Sequence, residues 1–114
     1  MQAMSDQPVY LGEFEHLLLL AILQCGDDAY TVPVREVLEE RTGRRIARGA
    51  LYTSLERLEG KELVVSRFGD PLAVRGGRAR RYFSVTPTGL TALRAARTAL
   101  ANLSRDLDSV LNRT

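Results

Sequence analysis

Arginine side chains, and the way they cluster, are the chemistry this sequence offers most plainly. Arg41, Arg44, Arg45 and Arg48 form one cluster and Arg75, Arg78, Arg80 and Arg81 another, and neither stretch contains an acid. Guanidinium groups fork onto phosphate oxygens, so two acid-free clusters in one small chain favour a polyanion partner over a merely solvated face. Catalysis finds much less support. His16 is the only histidine and sits between Glu15 and Leu17 on a leucine-rich segment, the setting of a surface or interface residue rather than a general base. No Ser/His/Asp set, metal-ligand spacing or glycine-rich phosphate loop after a strand is present, and Gly76-Gly77 inside a basic loop reads as turn chemistry. Cys25, the single cysteine, closes an apolar run and reads as a small buried hydrophobe. No enzymatic activity, metal or cofactor is expected.

The net charge of the 114 residues, +2 from 16 basic and 14 acidic side chains, hides this distribution. Residues 1–34 carry −5 with no Lys or Arg, residues 35–81 carry +5, and residues 82–114 carry +2. The acidic first third is expected to lie away from the polyanion. A hydrophobic content of 45% is enough to fold one small domain. The longest apolar run, Leu17 to Leu23, is far too short to span a bilayer, which takes about 20 residues. The expectation is a soluble, cytoplasmic protein with no membrane partner.

The elements that must carry the arginines follow from periodicity. Leu11, Phe14, Leu17, Leu18, Ala21 and Ile22 recur with helical spacing, and Gly26-Asp27-Asp28 closes that helix. Thr31 is the expected N-cap of a second helix, which Gly43 stops. A third helix begins near Arg48, with Leu51, Leu55 and Leu58 on one face and its end near Gly60. Two β-rich runs, Leu63 to Phe68 and Arg80 to Val85, flank a polar loop and predict a hairpin with a long basic tip. Thr86-Pro87 opens a last helix, in which Leu93, Leu100 and Leu107 alternate with Ala96, Leu103 and Val110 as an a/d seam.

Three helices, a hairpin and a long helix predict a mainly α fold with a small β-hairpin. The body is a winged helix-turn-helix, whose third helix can enter the major groove while the wing reaches the backbone or minor groove. The leucine stripe turns Gly49, Thr53, Glu56 and Arg57 outward and leaves Arg48 and Tyr52 on the flank. Tyr52 can either read DNA or pack in the core under the wing. Expected DNA contacts are therefore Arg44, Arg45, Arg48, Gly49, Tyr52, Thr53, Arg57, Arg75, Arg78 and Arg80. The seam, with Leu11, Phe14 and Leu18 of the first helix across from it, is expected to bind a second copy. A symmetric dimer sets two reading helices about 34 Å apart and asks for a pseudopalindromic operator.

The segments Gly49-Ala50-Leu51-Tyr52-Thr53-Ser54-Leu55-Glu56-Arg57-Leu58-Glu59, Arg80-Arg81-Tyr82-Phe83-Ser84-Val85-Thr86 and Thr88-Gly89, together with Leu17-Leu18-Leu19-Leu20-Ala21, resemble the PadR family of bacterial transcriptional regulators. The resemblance runs from about Leu11 to Leu111. It implies a winged helix that binds double-stranded DNA, dimerisation through the C-terminal helix and, usually, repression of a nearby gene. The chain differs from the family pattern at Thr53, where proline often follows the tyrosine, at Ala47, where a capping Ser or Thr is common, in its long wing loop, and in having no tryptophan. The domain reading is a tail over residues 1–9, a winged helix over 10–86 and a C-terminal dimerisation helix over 87–114. Two alternatives accompany it: a winged helix that docks an acidic protein, favoured by Glu56 and Glu59 because they oppose phosphate, and a sensor whose small-molecule effector, of unknown identity, binds between the first and last helices.

Overall fold

The computed structural model describes residues 10–70 and 79–113. Helix α1 spans Glu13–Cys25, and one 3-10 turn, Gly26–Asp28, leads to α2 at Thr31–Thr42. Helix α3 covers Arg48–Gly60. Strands β1, Val64–Phe68, and β2, Arg81–Val85, pair antiparallel with Val64 opposite Val85 and Phe68 opposite Arg81. Helix α4, Pro87–Ser104, and a single turn α5, Asp108–Leu111, complete the chain. The architecture is the expected one, mainly α with a small β-hairpin, a winged helix-turn-helix body and a C-terminal helix.

One core joins all of these elements except α5. Leu18, Leu19 and Ile22 of α1 meet Val34 and Leu38 of α2, Leu51, Leu55 and Leu58 of α3, Leu63, Val64 and Phe83 of the hairpin, and Ala92 and Leu93 of α4. The three α3 leucines are at most 1% exposed. Their four- and three-residue spacing puts them on one stripe of the helix. Burial of this kind stabilises by roughly 1.5–3 kcal/mol per large side chain. Two residues expected at a dimer interface belong to this core instead: Leu18 is 0% and Leu93 5% exposed. Their positions on the helical stripes point them into the domain.

The joints show why the chain turns where it does. Gly43 ends α2 at φ 71°, a left-handed conformation open to glycine, and its N–H bonds Glu39 O. The residue that caps α2 is Tyr30, extended at φ −107°, and not Thr31, which is already in the helix. Pro33 thus falls within the first turn, where its missing N–H goes unmissed. Glu62 adopts φ 63° after α3. There Leu63 N–H bonds Leu58 O and Glu62 N–H bonds Glu59 O, the pair of bonds that defines a Schellman ending, with glutamate where glycine is usual.

The start of α4 is fastened to this ending. Thr86 Oγ1 accepts from Gly89 N–H at 2.9 Å and donates to Glu62 O at 2.7 Å, and Thr86 N–H bonds Leu63 O. A Cβ on Gly89 would lie 2.2 Å from Leu63 O, so only glycine lets α4 approach this closely. Further along, the predicted single seam does not hold. Helix α4 stops at Ser104, Asp106 turns left-handed at φ 69°, and Leu107 N–H bonds Ser104 O. With Arg105 at φ −58°, ψ 135°, this is the geometry of a type II turn. Asn102, Ser104, Asp106 and Asp108 weaken the helix because their side chains compete for backbone groups. Leu107 and Val110 therefore lie beyond the helix that carries Leu100 and Leu103.

Candidate nucleic-acid interface

Helix α3 presents the outward residues that its leucine stripe predicts. Arg48, Gly49, Thr53, Glu56 and Arg57 are exposed. Tyr52 is 49% exposed and lines a groove with Thr31, Val32, Arg35, Glu36, Glu39, Arg48 and Leu51, between α2 and α3. Its ring does not pack in the core. A Cβ on Gly49 would meet nothing within 4 Å, so nothing in the described fold requires glycine there.

The turn into α3 is held by side chains of α2. Arg35 Nε donates to Ile46 O at 2.7 Å and Glu39 Oε2 accepts from Ile46 N–H at 2.8 Å, while the Ile46 side chain is buried. Ala47 caps α3 without a side-chain acceptor, which leaves its first-turn N–H groups open. Arg45 and Arg48 flank this opening, and both are exposed with no ion pair among the described residues.

Three other basic groups are engaged. Arg44 reaches back 31 residues to α1, with Nη2 3.0 Å from Glu13 Oε2 and Nη1 donating to Glu13 Oε1 at 3.2 Å. The hydrogen bond and charge of Arg44 hold the Glu13 carboxyl below its usual range. Lys61, just past α3, donates to Glu15 at 2.6 Å. Burial tends to raise the Glu15 pKa, but Lys61, the Gly12 N–H and the charge of Arg57 outweigh it and leave it lowered. The acidic first third does not stand apart from the basic middle, since two of its carboxylates grip the turn and the far end of the helix-turn-helix unit.

Arg81 is the third. Its Nη1 donates to Glu56 at 2.6 Å, its Nη2 to Glu59, and its Nε to Ser66 Oγ at 3.1 Å, while Ser66 Oγ donates to Glu59 Oε2 at 2.8 Å. The Ser66 bond is the main reason the Glu59 carboxyl sits below its usual range, with Arg81 adding to it. Both acids of α3 are thereby engaged from the wing, and the single Arg81 charge offsets one of their two. At the base of the same wing Arg80 stacks on Tyr30, its Cζ 4.2 Å from the ring centroid. Arg75 and Arg78 lie outside the described residues. The Arg80–Tyr30 contact, the Glu13–Arg44 and Glu15–Lys61 pairs and the Arg35 clamp went unforeseen. Only the facing of Arg67 and Tyr82 across the hairpin was available from strand pairing.

The C-terminal residues make a second surface. Leu100, Leu103, Leu107, Val110 and Leu111 are 41–79% exposed. Leu100 and Ala96 also line a groove of 400 Å³ with Leu11, His16 and Ala99, between α1 and α4, where an effector site was expected. Phe14 is partly buried and packs against the core. Among the described residues no group of His, Cys, Asp or Glu is placed to hold a metal ion, and no helix is long and apolar enough to cross a membrane.

Residues 19–95 match the Transcriptional regulator PadR-like family. A curated relative, Transcriptional regulator Rv3488 of Mycobacterium tuberculosis, is 43% identical over 67 residues, which is 59% of this chain and 59% of that protein, so the match spans less than two-thirds of the relative's length. The fold is similar to that of a PadR family transcription regulator from hypervirulent Clostridium difficile R20291, with a TM-score of 0.70 and 22% identity over 86% of this chain and 98% of that one. It is also similar to a PadR-like transcriptional regulator from Bacillus cereus, with a TM-score of 0.69 and 21% identity over 89% and 93% of the two chains.

Proposed function

The chain belongs to the PadR-like family of transcriptional regulators, and from that premise we propose that it binds double-stranded DNA as a homodimer and represses transcription from a pseudopalindromic operator, without catalysis or a cofactor. The observation that carries this reading is the pairing of Arg81 with Glu56 and Glu59. It offsets one of the two negative charges of α3 that oppose phosphate, ties both carboxylates to the wing, and leaves Arg45, Arg48 and Arg57 beside them without ion pairs among the described residues. The protein-docking alternative rested on those same two acids, and both are engaged.

In this reading Arg45, the wing arginines Arg75, Arg78 and Arg80, and Arg44 once it leaves Glu13, neutralise phosphates. Exposed ion pairs exchange readily because water screens them in either state. Arg48, Tyr52, Thr53 and Arg57 face base edges, with Arg57 suited to guanine and Gly49 allowing close approach. The exposed apolar residues Leu100, Leu103, Leu107 and Val110 supply the dimer surface together with Leu11, Phe14 and Ala96, because so many large apolar side chains open to water within a short segment favour a partner. The cytoplasm is the compartment where this activity is useful.

Binding of the purified protein to its own upstream region, compared with a scrambled duplex at near-physiological salt, tests the reading. Specific binding should weaken with salt at a log–log slope of roughly −0.9 per phosphate neutralised. Equal affinity for the two duplexes overturns it, and a reporter that is not derepressed by deleting the gene overturns the repressor assignment.

A further inference from the structure

Four side chains run in a row across the base of the wing. Arg80 Cζ lies 4.2 Å from the centroid of Tyr30, the Tyr30 and Tyr82 rings meet edge to face at 5.7 Å and 73°, and Arg67 Cζ lies 4.8 Å from the centroid of Tyr82. The backbone fixes each member. Phe83 N–H bonds Ala29 O at 2.8 Å, which places Tyr30 beside β2, and Gly69 N–H bonds Arg80 O at 2.8 Å in the last described rung of the hairpin. A Cβ on Gly69 would lie 2.8 Å from Tyr82 Cε2, so the glycine makes room for that ring.

Arg80 and Arg81 are neighbours used in opposite ways. Arg81 directs its N–H edge at Glu56, Glu59 and Ser66, so its donors are consumed inside the domain. Arg80 holds its guanidinium carbon over the Tyr30 ring, and a cation–π contact engages the charge without consuming all five N–H donors. An arginine held this way therefore keeps N–H donors that a phosphate accepts. It also begins with its flexible chain already ordered, which removes part of the cost of fixing it on binding. The ring doing this is not part of the wing: Tyr30 is the N-cap of α2.

We propose that Tyr30 is a positioning residue for DNA binding, whose ring holds the Arg80 guanidinium at a fixed place relative to α2, so that its remaining N–H donors meet a phosphate of the duplex. The inference rests on the DNA-binding reading above. It adds that the wing's reach is set from the helix-turn-helix unit, through one aromatic contact. Replacing the ring should weaken binding about two- to tenfold, the range that corresponds to immobilising one long side chain. Loss of the arginine itself should lower the salt slope by about 0.9, one phosphate contact.

The test uses the full chain and a labelled mixed-sequence duplex at low salt, with Tyr30→Phe, Tyr30→Leu, Arg80→Ala and the Tyr30→Leu/Arg80→Ala double variant. Tyr30→Phe should bind like the wild type, Tyr30→Leu should lose two- to tenfold, and the double variant should bind no worse than Arg80→Ala. A Tyr30→Leu penalty that persists in the Arg80→Ala background assigns the ring a structural role and overturns the proposal, as does a Tyr30→Phe defect equal to that of Tyr30→Leu. A measurement without DNA separates the proposal from its premise. In the free protein the Arg80 side-chain protons should be shifted upfield by the Tyr30 ring in the wild type and Tyr30→Phe, and unshifted in Tyr30→Leu. Absence of that shift in the wild type overturns the stack, even if Tyr30→Leu fails to fold. Its presence in a protein that ignores the duplex overturns the DNA-binding reading instead.

Discussion

Arg81 of the wing strand sets its Nη1 2.6 Å from the carboxylate of Glu56 on α3. Because the same guanidinium also takes Glu59, one residue of the hairpin decides the electrostatic sign of the helix opposite it. Arg81→Gln should leave two bare carboxylates facing phosphate and weaken duplex binding by about tenfold, equivalent to about 1.4 kcal/mol. Adding Glu56→Gln and Glu59→Gln should restore most of the loss. Fluorescence anisotropy across the three proteins checks this, and failure of the added glutamines to rescue would show that Arg81 acts by some other route.

Gly49 should separate binding from folding. With open space where its Cβ would be, Gly49→Ala should leave thermal stability unchanged or raise it by up to about 1 kcal/mol, since alanine is the better helix former. Operator affinity should fall. A melt and a titration on the same sample suffice, and unchanged affinity would refute close approach at this position.

The exposed C-terminal leucines and the buried one predict opposite phenotypes. Leu103, 79% exposed, should tolerate Asp without loss of monomer stability while the dimer dissociates. Leu93, buried, should cost about 2–5 kcal/mol on truncation to Ala. Sedimentation and denaturant melts give the two numbers, and a Leu103→Asp variant that remains dimeric would rule out the arm as the interface.

The joint after α3 offers a stabilising change and a damaging one. Glu62 is held at φ 63°, a conformation that costs a non-glycine residue roughly 1 kcal/mol or more. Glu62→Gly should raise the melting temperature by a few degrees, as about 1 kcal/mol does in a domain of this size. Gly89→Ala should lower it, because its Cβ would collide with Leu63 O.

Acid should loosen the same framework. The carboxyls of Glu13, Glu15 and Glu59 all sit below their ordinary value of 4.5. Their stabilisation is therefore complete above the unfolded value and lost as pH falls through the folded ones. Melting temperature should be flat from neutrality to about pH 5 and drop below it. Glu59→Gln should reduce that drop, and an identical profile for the variant would remove Glu59 from the account.

What the sequence made legible was local. The leucines of α3 repeat within one helix, so periodicity located both the buried stripe and the outward set Gly49, Thr53 and Arg57, and the hairpin followed from two β-rich runs around a turn. What escaped depends on groups far apart in the chain. Glu13 and Arg44 are 31 residues apart, and Arg81 meets Glu56 across 25. Clusters of like charge therefore looked uniform where their members have separate partners. The apolar seven-residue spacing of the C-terminal region hid a different limit, because the polar residues between its leucines end the helix before the pattern does.

The fastening of α4 has a further consequence. Thr86 ties the start of that helix to the carbonyls of Glu62 and Leu63, and Gly89 makes room for the approach, immediately past the end of α3. The direction in which α4 leaves the body is thus fixed by the Thr86 hydroxyl and main-chain groups, while the exposed side chains farther along it take no part in the joint. The exposed Leu100 and Leu103 can drift to suit a new contact without re-aiming α3. The joint works like the fixed corner of a carpenter's square, and the angle survives whatever is done to the blades.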